Sequence, residues 1–394
     1  MASTRVGVVG CGSVSEKYLP DLYESPHANV VAVCDVDEGL ARKAADKYGV
    51  SACYTDVDEM LTSTDFDLYI NLTPIQLHGR YNLKGLQAGR HVLSEKPMAT
   101  NLEEANMLME EADRRNLKIW AAPNAVISPT FRAAAEVVNS GAIGKVCSAR
   151  GRYGHGGPLH SAPSRVWFYK DGAGSMYDLG VYNVCTITGL LGPVEGVVAL
   201  SGVAVPDRVV GGVPIKVEAE DNTILLLDFG ESVYGVIQTG FIYPVYDERS
   251  TIELCGTGGA LNWLGYDWAP RGIEVHTHHR RVTANKSANA RAVAHDTPLT
   301  ETLETIRARK IKVDARKDLP WQTHAEDQAG YTWFCGGSYL ARCLAEDEEA
   351  LMTPEHAYHC LEVMLAGFES AKNGRRIEIQ STFPWPIVTD GLPG

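Results

Sequence analysis

The chain has no Cys-x-x-Cys pair, although it holds nine cysteines (Cys11, Cys34, Cys53, Cys147, Cys185, Cys255, Cys335, Cys343 and Cys360). Scattered and odd in number, they argue against a disulfide framework and for reduced, mostly structural thiols in a cytoplasm. No apolar run is long enough to span a bilayer, so no membrane partner is expected. Met1 to Arg5 lead straight into a strand pattern, without the basic, apolar and cleavage regions of a signal peptide. Positive charge is short: 36 Lys and Arg stand against 49 Asp and Glu, a net charge of −13. That deficit argues against a nucleic-acid surface. No internal repeat is present. At 394 residues the chain exceeds one ordinary core, and two domains are expected.

Arg5 to Val9 is an apolar run of strand type that ends in Gly10-Cys11-Gly12-Ser13-Val14-Ser15. A helical segment follows, with Tyr18, Leu19 and Leu22 on one face, and then a second strand, Val30 to Cys34, closed by Asp35. Strand, glycine turn, helix, strand and acidic residue at this interval form a dinucleotide fingerprint. Gly10 permits the tight turn, Gly12 lets main-chain amides approach a pyrophosphate, and the helix N-terminus favours that anion. Asp35 accepts hydrogen bonds from ribose hydroxyls and repels a 2′-phosphate, which makes NAD the expected cofactor and NADP the lesser choice. Ser15 stands where a third glycine is usual, and is small enough for close helix–strand packing.

The alternation continues. Leu40, Ala44, Ala45 and Tyr48 share a helix face, and Asp65 to Leu72 form a strand that ends at Thr73-Pro74. A helix over Tyr81 to Gly89, a strand over His91 to Leu93, a helix over Leu102 to Asn116 and a strand over Lys118 to Ala122 complete the series. Such units predict a Rossmann-type, doubly wound parallel sheet over residues 1–123, with right-handed crossovers. Its ligand edge collects Gly10, Gly12, Asp35, Thr73, Pro74 and Lys96. By pattern alone, His78 reads as a helix-surface or packing residue. Lys96 closes a buried strand, where an ammonium is costly unless it pairs with a carboxylate or performs chemistry. Pro97 pushes Lys96 out of the helical region and holds that cation at the strand end.

Residues 124–394 read as a second α/β domain with an open, mostly antiparallel sheet. Helices at Ser175 to Leu191 and Thr353 to Gly374 cover one face, and the C-terminal helix is able to pack back on the first domain. The other face is open to a second subunit. Thr283 to Lys317 are polar and read as a long loop with some helix. Asp178 and Tyr182 lie four apart on the helix behind the glycine-rich turn at 171–174, hence on one side. They form either a solvated pair or an active-site face. The preceding stretch holds Arg152, His155, His160, Arg165, Trp167 and Lys170, and polar and aromatic groups there suit a sugar. Of these, His155, Trp167 and Lys170 are the candidates. Asn124, at the domain junction, is placed to face a nicotinamide. His276, His278 and His279 lack accompanying ligands and fit an exposed strand edge, so no metal site is expected.

Taken together, these motifs resemble the Gfo/Idh/MocA (glucose–fructose oxidoreductase/inositol dehydrogenase) family over nearly the whole chain. The resemblance rests on Gly10 to Ser15, Asp35, Thr73-Pro74, Glu95-Lys96-Pro97 and the turn into Asp178-x-Gly180-x-Tyr182. Thr353-Pro354-Glu355-His356 and Asn373-Gly374-Arg375-Arg376 add to it. It implies an NAD(P)-dependent oxidoreductase that moves hydride between nicotinamide and a secondary hydroxyl or keto group of a sugar, cyclitol or glycoside, and that forms a homodimer or homotetramer through the C-terminal sheet. The implied dinucleotide contacts are Gly10, Cys11, Gly12, Ser13, Val14 and Asp35, with Thr73, Pro74, His78, Glu95, Lys96 and Asn124. On the substrate side stand Lys96, His155, Trp167, Lys170, Asp178 and Tyr182.

By the same resemblance Lys96 is catalytic and Asp178 orients the reacting hydroxyl. Tyr182 occupies the family's usual histidine position. A free phenol, with a pKa of about 10, is a poor base at neutral pH. A nearby ammonium favours the phenolate and stabilises a developing alkoxide. Tyr182 is therefore the expected proton carrier with Lys96 as its partner, or the reverse. Redox-assisted glycoside cleavage, a dinucleotide-binding regulator and a dihydrodiol substrate are the alternatives.

Overall fold

The computed structural model describes residues 3–157, 163–243, 251–266, 268–284, 299–311 and 334–389. The first third of the chain alternates strand and helix. Its elements are β1 (Thr4–Val9), α1 (Ser15–Glu24), β2 (Ala28–Cys34), α2 (Glu38–Tyr48), β3 (Ala52–Tyr54), α3 (Val57–Ser63) and β4 (Leu68–Asn71). After them come α4 (His78–Gln87), β5 (His91–Ser94), α5 (Leu102–Arg115) and β6 (Ile119–Ala121). The six strands pair in parallel, in the order β3-β2-β1-β4-β5-β6. Helices cover both faces, so Leu68 to Asn71 are all buried. The strand order reverses between β1 and β4, which opens a crevice at the C-terminal strand ends. Local chemistry sets the helix limits: Asp37 caps α2, Asn101 caps α5, and Gly49 takes a left-handed φ of 68° after α2.

The rest of the chain builds a second sheet. Its strands are β7 (Val146–Gly154), β8 (Gly196–Gly202), β11 (Asn222–Asp228), β12 (Tyr234–Gly240), β13 (Ile252–Gly256), β14 (Gly259–Gly265), β15 (Pro270–Ala284), β16 (Leu299–Ile311) and β17 (Ile377–Glu378). A separate hairpin, β9 (Asp207–Val210) with β10 (Val213–Lys216), stands apart. The sheet order is β16-β15-β14-β13-β7-β12-β11-β8-β17, antiparallel except where β7 meets β12. Helices α6 (Pro129–Asn139), α7 (Val181–Leu191), α8 (Gly336–Glu346) and α9 (Pro354–Asn373) complete the described chain. α9 lies along β8 and α7 and also touches α5 and β6, while α8 packs on β1 and α1. Both C-terminal helices therefore bear on the first sheet.

Two expectations change. Much of the stretch 283–317 is strand: β16 pairs with β15 over its whole length, and extended pairing satisfies the main chain of a polar segment. His276 lies on β15, which β14 and β16 flank, and is not at an edge. Its Nε2 is 3.7 Å from Glu274 Oε2. His160 and residues 285–298 and 312–317 lie outside the described residues.

On β8, β11 and β12 the strand period of two buries Val197, Ala199, Leu225, Leu227 and Ile237 beneath the helices. Val198, Leu200, Leu226, Tyr234 and Val236 face outward, and Leu200 is 76% exposed. No described helix is long and apolar enough to cross a membrane.

Candidate active site

The crevice begins at the turn after β1. Gly10 has a φ of +91°, and a Cβ there would sit 2.7 Å from the Leu72 carbonyl group at the end of β4. Only glycine lets the two central strand ends approach this closely. Gly12 is different: a Cβ on it meets nothing within 4 Å. The space over Gly12, at the foot of α1, suits a pyrophosphate. Ser15 is buried and its hydroxyl donates to the Gly12 carbonyl at 2.7 Å, so a hydroxyl takes the place of the third glycine. Asp35 accepts from the amides of Cys11 at 2.7 Å and Asp37 at 2.9 Å, which fixes its half-buried carboxylate beside the turn. Burial and then the neighbouring Asp35 push the Cys11 thiol up to about 12, so it stays neutral.

At the end of β4, Asn71 Oδ1 accepts from the Thr73 amide and hydroxyl. His78 is buried, with Nδ1 2.7 Å from the Pro97 carbonyl oxygen and Nε2 2.8 Å from that of Thr73. Both ring nitrogens thus face main-chain carbonyl oxygens, and the ring donates to one of them through whichever nitrogen carries the proton. The histidine braces the β4 and β5 turns against each other instead of facing the crevice. Glu95 is also buried. Its Oε1 accepts from the Tyr18 hydroxyl at 2.7 Å and its Oε2 from the Lys96 amide at 3.1 Å, which ties the Lys96 turn to α1. Asn124 is fully buried, and its carboxamide packs where a Cβ on Gly336 would stand.

Lys96 reaches from the β5 end into the second half of the chain. Its ammonium donates to Asp178 Oδ1 at 2.8 Å and to the Asp178 carbonyl at 2.7 Å. It also sits 5.2 Å from the centre of the Tyr182 ring. The Lys96 and Asp178 side chains are only 10% and 16% exposed, so this pair is poorly screened. A single π-helical turn, Met176–Gly180, leads into α7 and carries Asp178. Glu220 braces that turn from beneath: its carboxylate accepts from the Ser175 hydroxyl, the Met176 amide and the Thr223 hydroxyl at 2.6, 2.6 and 2.9 Å. Burial pushes Glu220 up to about 7, against the pull of these three donors.

His155 stacks on Phe241, with ring centres 5.4 Å apart, and its Nδ1 accepts from the Gly157 amide at 2.9 Å. Burial lowers its pKa; Asp178 opposes that shift and Lys96 reinforces it, so the ring lies within the field of the pair. A neutral ring in this setting carries its proton on Nε2. Trp167 stacks on Phe168, and its carbonyl accepts from Gln76. Lys170 pairs with Glu218 at 2.5 Å, both well exposed, so its charge is spent at the surface. Tyr18 and Glu220 went unnoticed in the sequence. Tyr18 reads there as one more apolar helix position, and nothing local marks Glu220 as buried.

A family profile described as "Oxidoreductase family, NAD-binding Rossmann fold" matches residues 4–122, and the C-terminal domain profile of the same family matches residues 131–262. The chain belongs to the GFO/IDH/MocA oxidoreductase family. Within it, an uncharacterized oxidoreductase of Rhizobium meliloti is 33% identical over 187 residues, 47% of this chain and 55% of that protein. The match thus spans about half of that relative's length. The myo-inositol 2-dehydrogenase of Thermotoga maritima is 24% identical over 65% of this chain and 74% of its own. Among solved structures, levoglucosan dehydrogenase in complex with NADH and L-sorbose superposes with a TM-score of 0.76. It has 20% identity and covers 96% of this chain and 100% of that one, a likeness that shows the shared fold.

Proposed function

We propose that this member of the family is an NAD-dependent oxidoreductase acting on a secondary hydroxyl or keto group of a sugar, cyclitol or glycoside. The observation that carries the reading is the nearly dry Lys96–Asp178–Tyr182 cluster at the ligand edge of the dinucleotide-type sheet. NAD, when bound at the turn after β1, supplies the hydride acceptor. Two of the three ammonium donors of Lys96 are committed to Asp178, which leaves one for a substrate oxygen. Asp178 holds that ammonium in place. As the carbinol C–H electron pair departs to the hydride acceptor, the hydroxyl proton passes to Tyr182 as the phenolate, and Lys96 stabilises the alkoxide character that develops. His155, through a neutral Nε2–H, is suited to hold a second hydroxyl. The relatives named for inositol and levoglucosan fit polyhydroxylated substrates.

The outward apolar residues of β8 and β11 support association of two or more copies through this sheet, and a cytoplasmic setting fits the scattered free cysteines.

The test is absorbance at the NADH band with purified protein, NAD and a panel of sugars, inositols and glycosides. A substrate-dependent rise is expected, reduced roughly 10²–10⁴-fold in Lys96→Ala. An undiminished rise in that variant excludes the assigned role of Lys96. Consumption of a glycoside without NADH points to internal redox recycling, and NAD binding with no turnover points to a regulator.

A further inference from the structure

Behind the active site, α7 and α9 face each other across a small cavity of about 20 Å³. Such a space has room for a water-sized species. Cys185, His356 and Cys360 line it, all three buried, with one ligand atom from each lying within 4.8 Å of the others. Cys185 and Thr188 are three apart on α7, and His356 and Cys360 four apart on α9, so each pair shares a helix face. Two rigid helices thus present two thiols and an imidazole to a single point.

The surrounding hydrogen bonds orient the ring. Thr188 Oγ1 donates its one proton to the Val184 carbonyl at 2.8 Å, so it accepts from His356 Nε2, also at 2.8 Å. A metal would then be taken on Nδ1, with the hydroxyl as the outer partner that metal-bound histidines usually have. Met98, Met352 and Met364 line the same cavity and make the wall soft and apolar.

We propose that Cys185, His356 and Cys360 form a binding site for one zinc ion, which clamps α7 to α9 behind Lys96. On binding, two thiol protons leave to solvent, two Zn–S bonds and one Zn–N bond form, and a water fills the fourth position. Two thiolates, a neutral imidazole and a divalent ion sum to zero charge, which suits a buried apolar site. Zinc–sulfur bonds of about 2.3 Å bring tetrahedral ligand atoms to roughly 3.8 Å apart, a contraction of at most about 1 Å from separations that all lie within 4.8 Å here. The proposal is independent of the substrate and of turnover.

The test is the metal content of the full chain, expressed with added zinc, purified without chelator and measured by plasma mass spectrometry. About one equivalent is expected after dialysis, falling below about a tenth in Cys185→Ser and in Cys360→Ser and unchanged in Cys53→Ser. Should the serine variants fold poorly, cobalt(II) added to the unaltered, metal-free chain serves instead, read by its thiolate charge-transfer band and intense tetrahedral visible bands. No metal in either experiment, metal retained by both serine variants, or a Cys185–Cys360 disulfide in the isolated protein would each overturn the site. Copper in place of zinc would overturn the choice of ion.

Discussion

Glu220 touches neither Lys96 nor any residue of the dinucleotide crevice, yet it holds the turn that carries Asp178. Its folded pKa of about 7 lies above the roughly 4.3 of an unfolded glutamate, so folding favours the protonated carboxyl. The sign follows from that: the stabilisation is complete below about pH 4 and is lost as pH rises to about 7. Urea unfolding of the chain and of Glu220→Gln at several pH values should show their stability difference moving against the glutamate, by on the order of 3 kcal/mol between pH 4 and pH 8. Parallel stability curves would remove the assignment. Tyr182 is tested differently. Phenylalanine keeps the ring under Lys96 and removes only the hydroxyl, so a fall in kcat of roughly 10²-fold or more with NAD affinity preserved is expected. Unchanged turnover would leave Tyr182 as packing alone.

At the scale of an element, the turn into α1 separates two uses of glycine. Gly10 serves the backbone, since its φ of +91° and the Leu72 carbonyl group exclude any Cβ. Gly12 has open space and serves the ligand. Gly10→Ala should therefore lower the urea midpoint or prevent folding, while Gly12→Ala should unfold like the parent and lose NAD affinity by about tenfold or more, read by fluorescence titration. If both variants behave alike, the division is wrong. The π-helical turn before α7 was not legible in advance, because a single extra main-chain residue leaves no period in the sequence, and the Glu220 that accepts from the Ser175 hydroxyl and Met176 amide at its start lies over forty residues on. The short β3 and the β9–β10 hairpin were missed for a related reason: three- and four-residue strands are too brief to show a period.

Across the whole molecule, the second sheet shows one face to the helices and the other to solvent. Leu226 lies opposite Val198 on β8 and Val236 on β12, so the outward apolar side chains are contiguous across three strands. Light scattering coupled to gel filtration should find a dimer or larger species, and Leu200→Glu with Leu226→Glu should shift it to monomer without loss of helical circular dichroism. A monomeric parent chain would sink the association reading. An intact oligomer in the double variant would place the contact elsewhere.

The sequence alone determined the alternating first domain, because buried parallel strands, glycine turns and capped helices all leave local patterns in residue order. It also singled out Lys96, a lysine at a buried strand end, and showed Asp178 and Tyr182 four apart on one helix side, as either a solvated pair or an active-site face. Only the tertiary structure decided that they meet: Lys96 and Asp178 are 82 residues apart and share a 2.8 Å ion pair. The placing of half-buried Glu220 beneath that turn, the bracing by His78 and the gathering of Cys185, His356 and Cys360 were decided the same way. Burial and long-range proximity depend on what the rest of the chain packs against a residue, and no local window of sequence contains that.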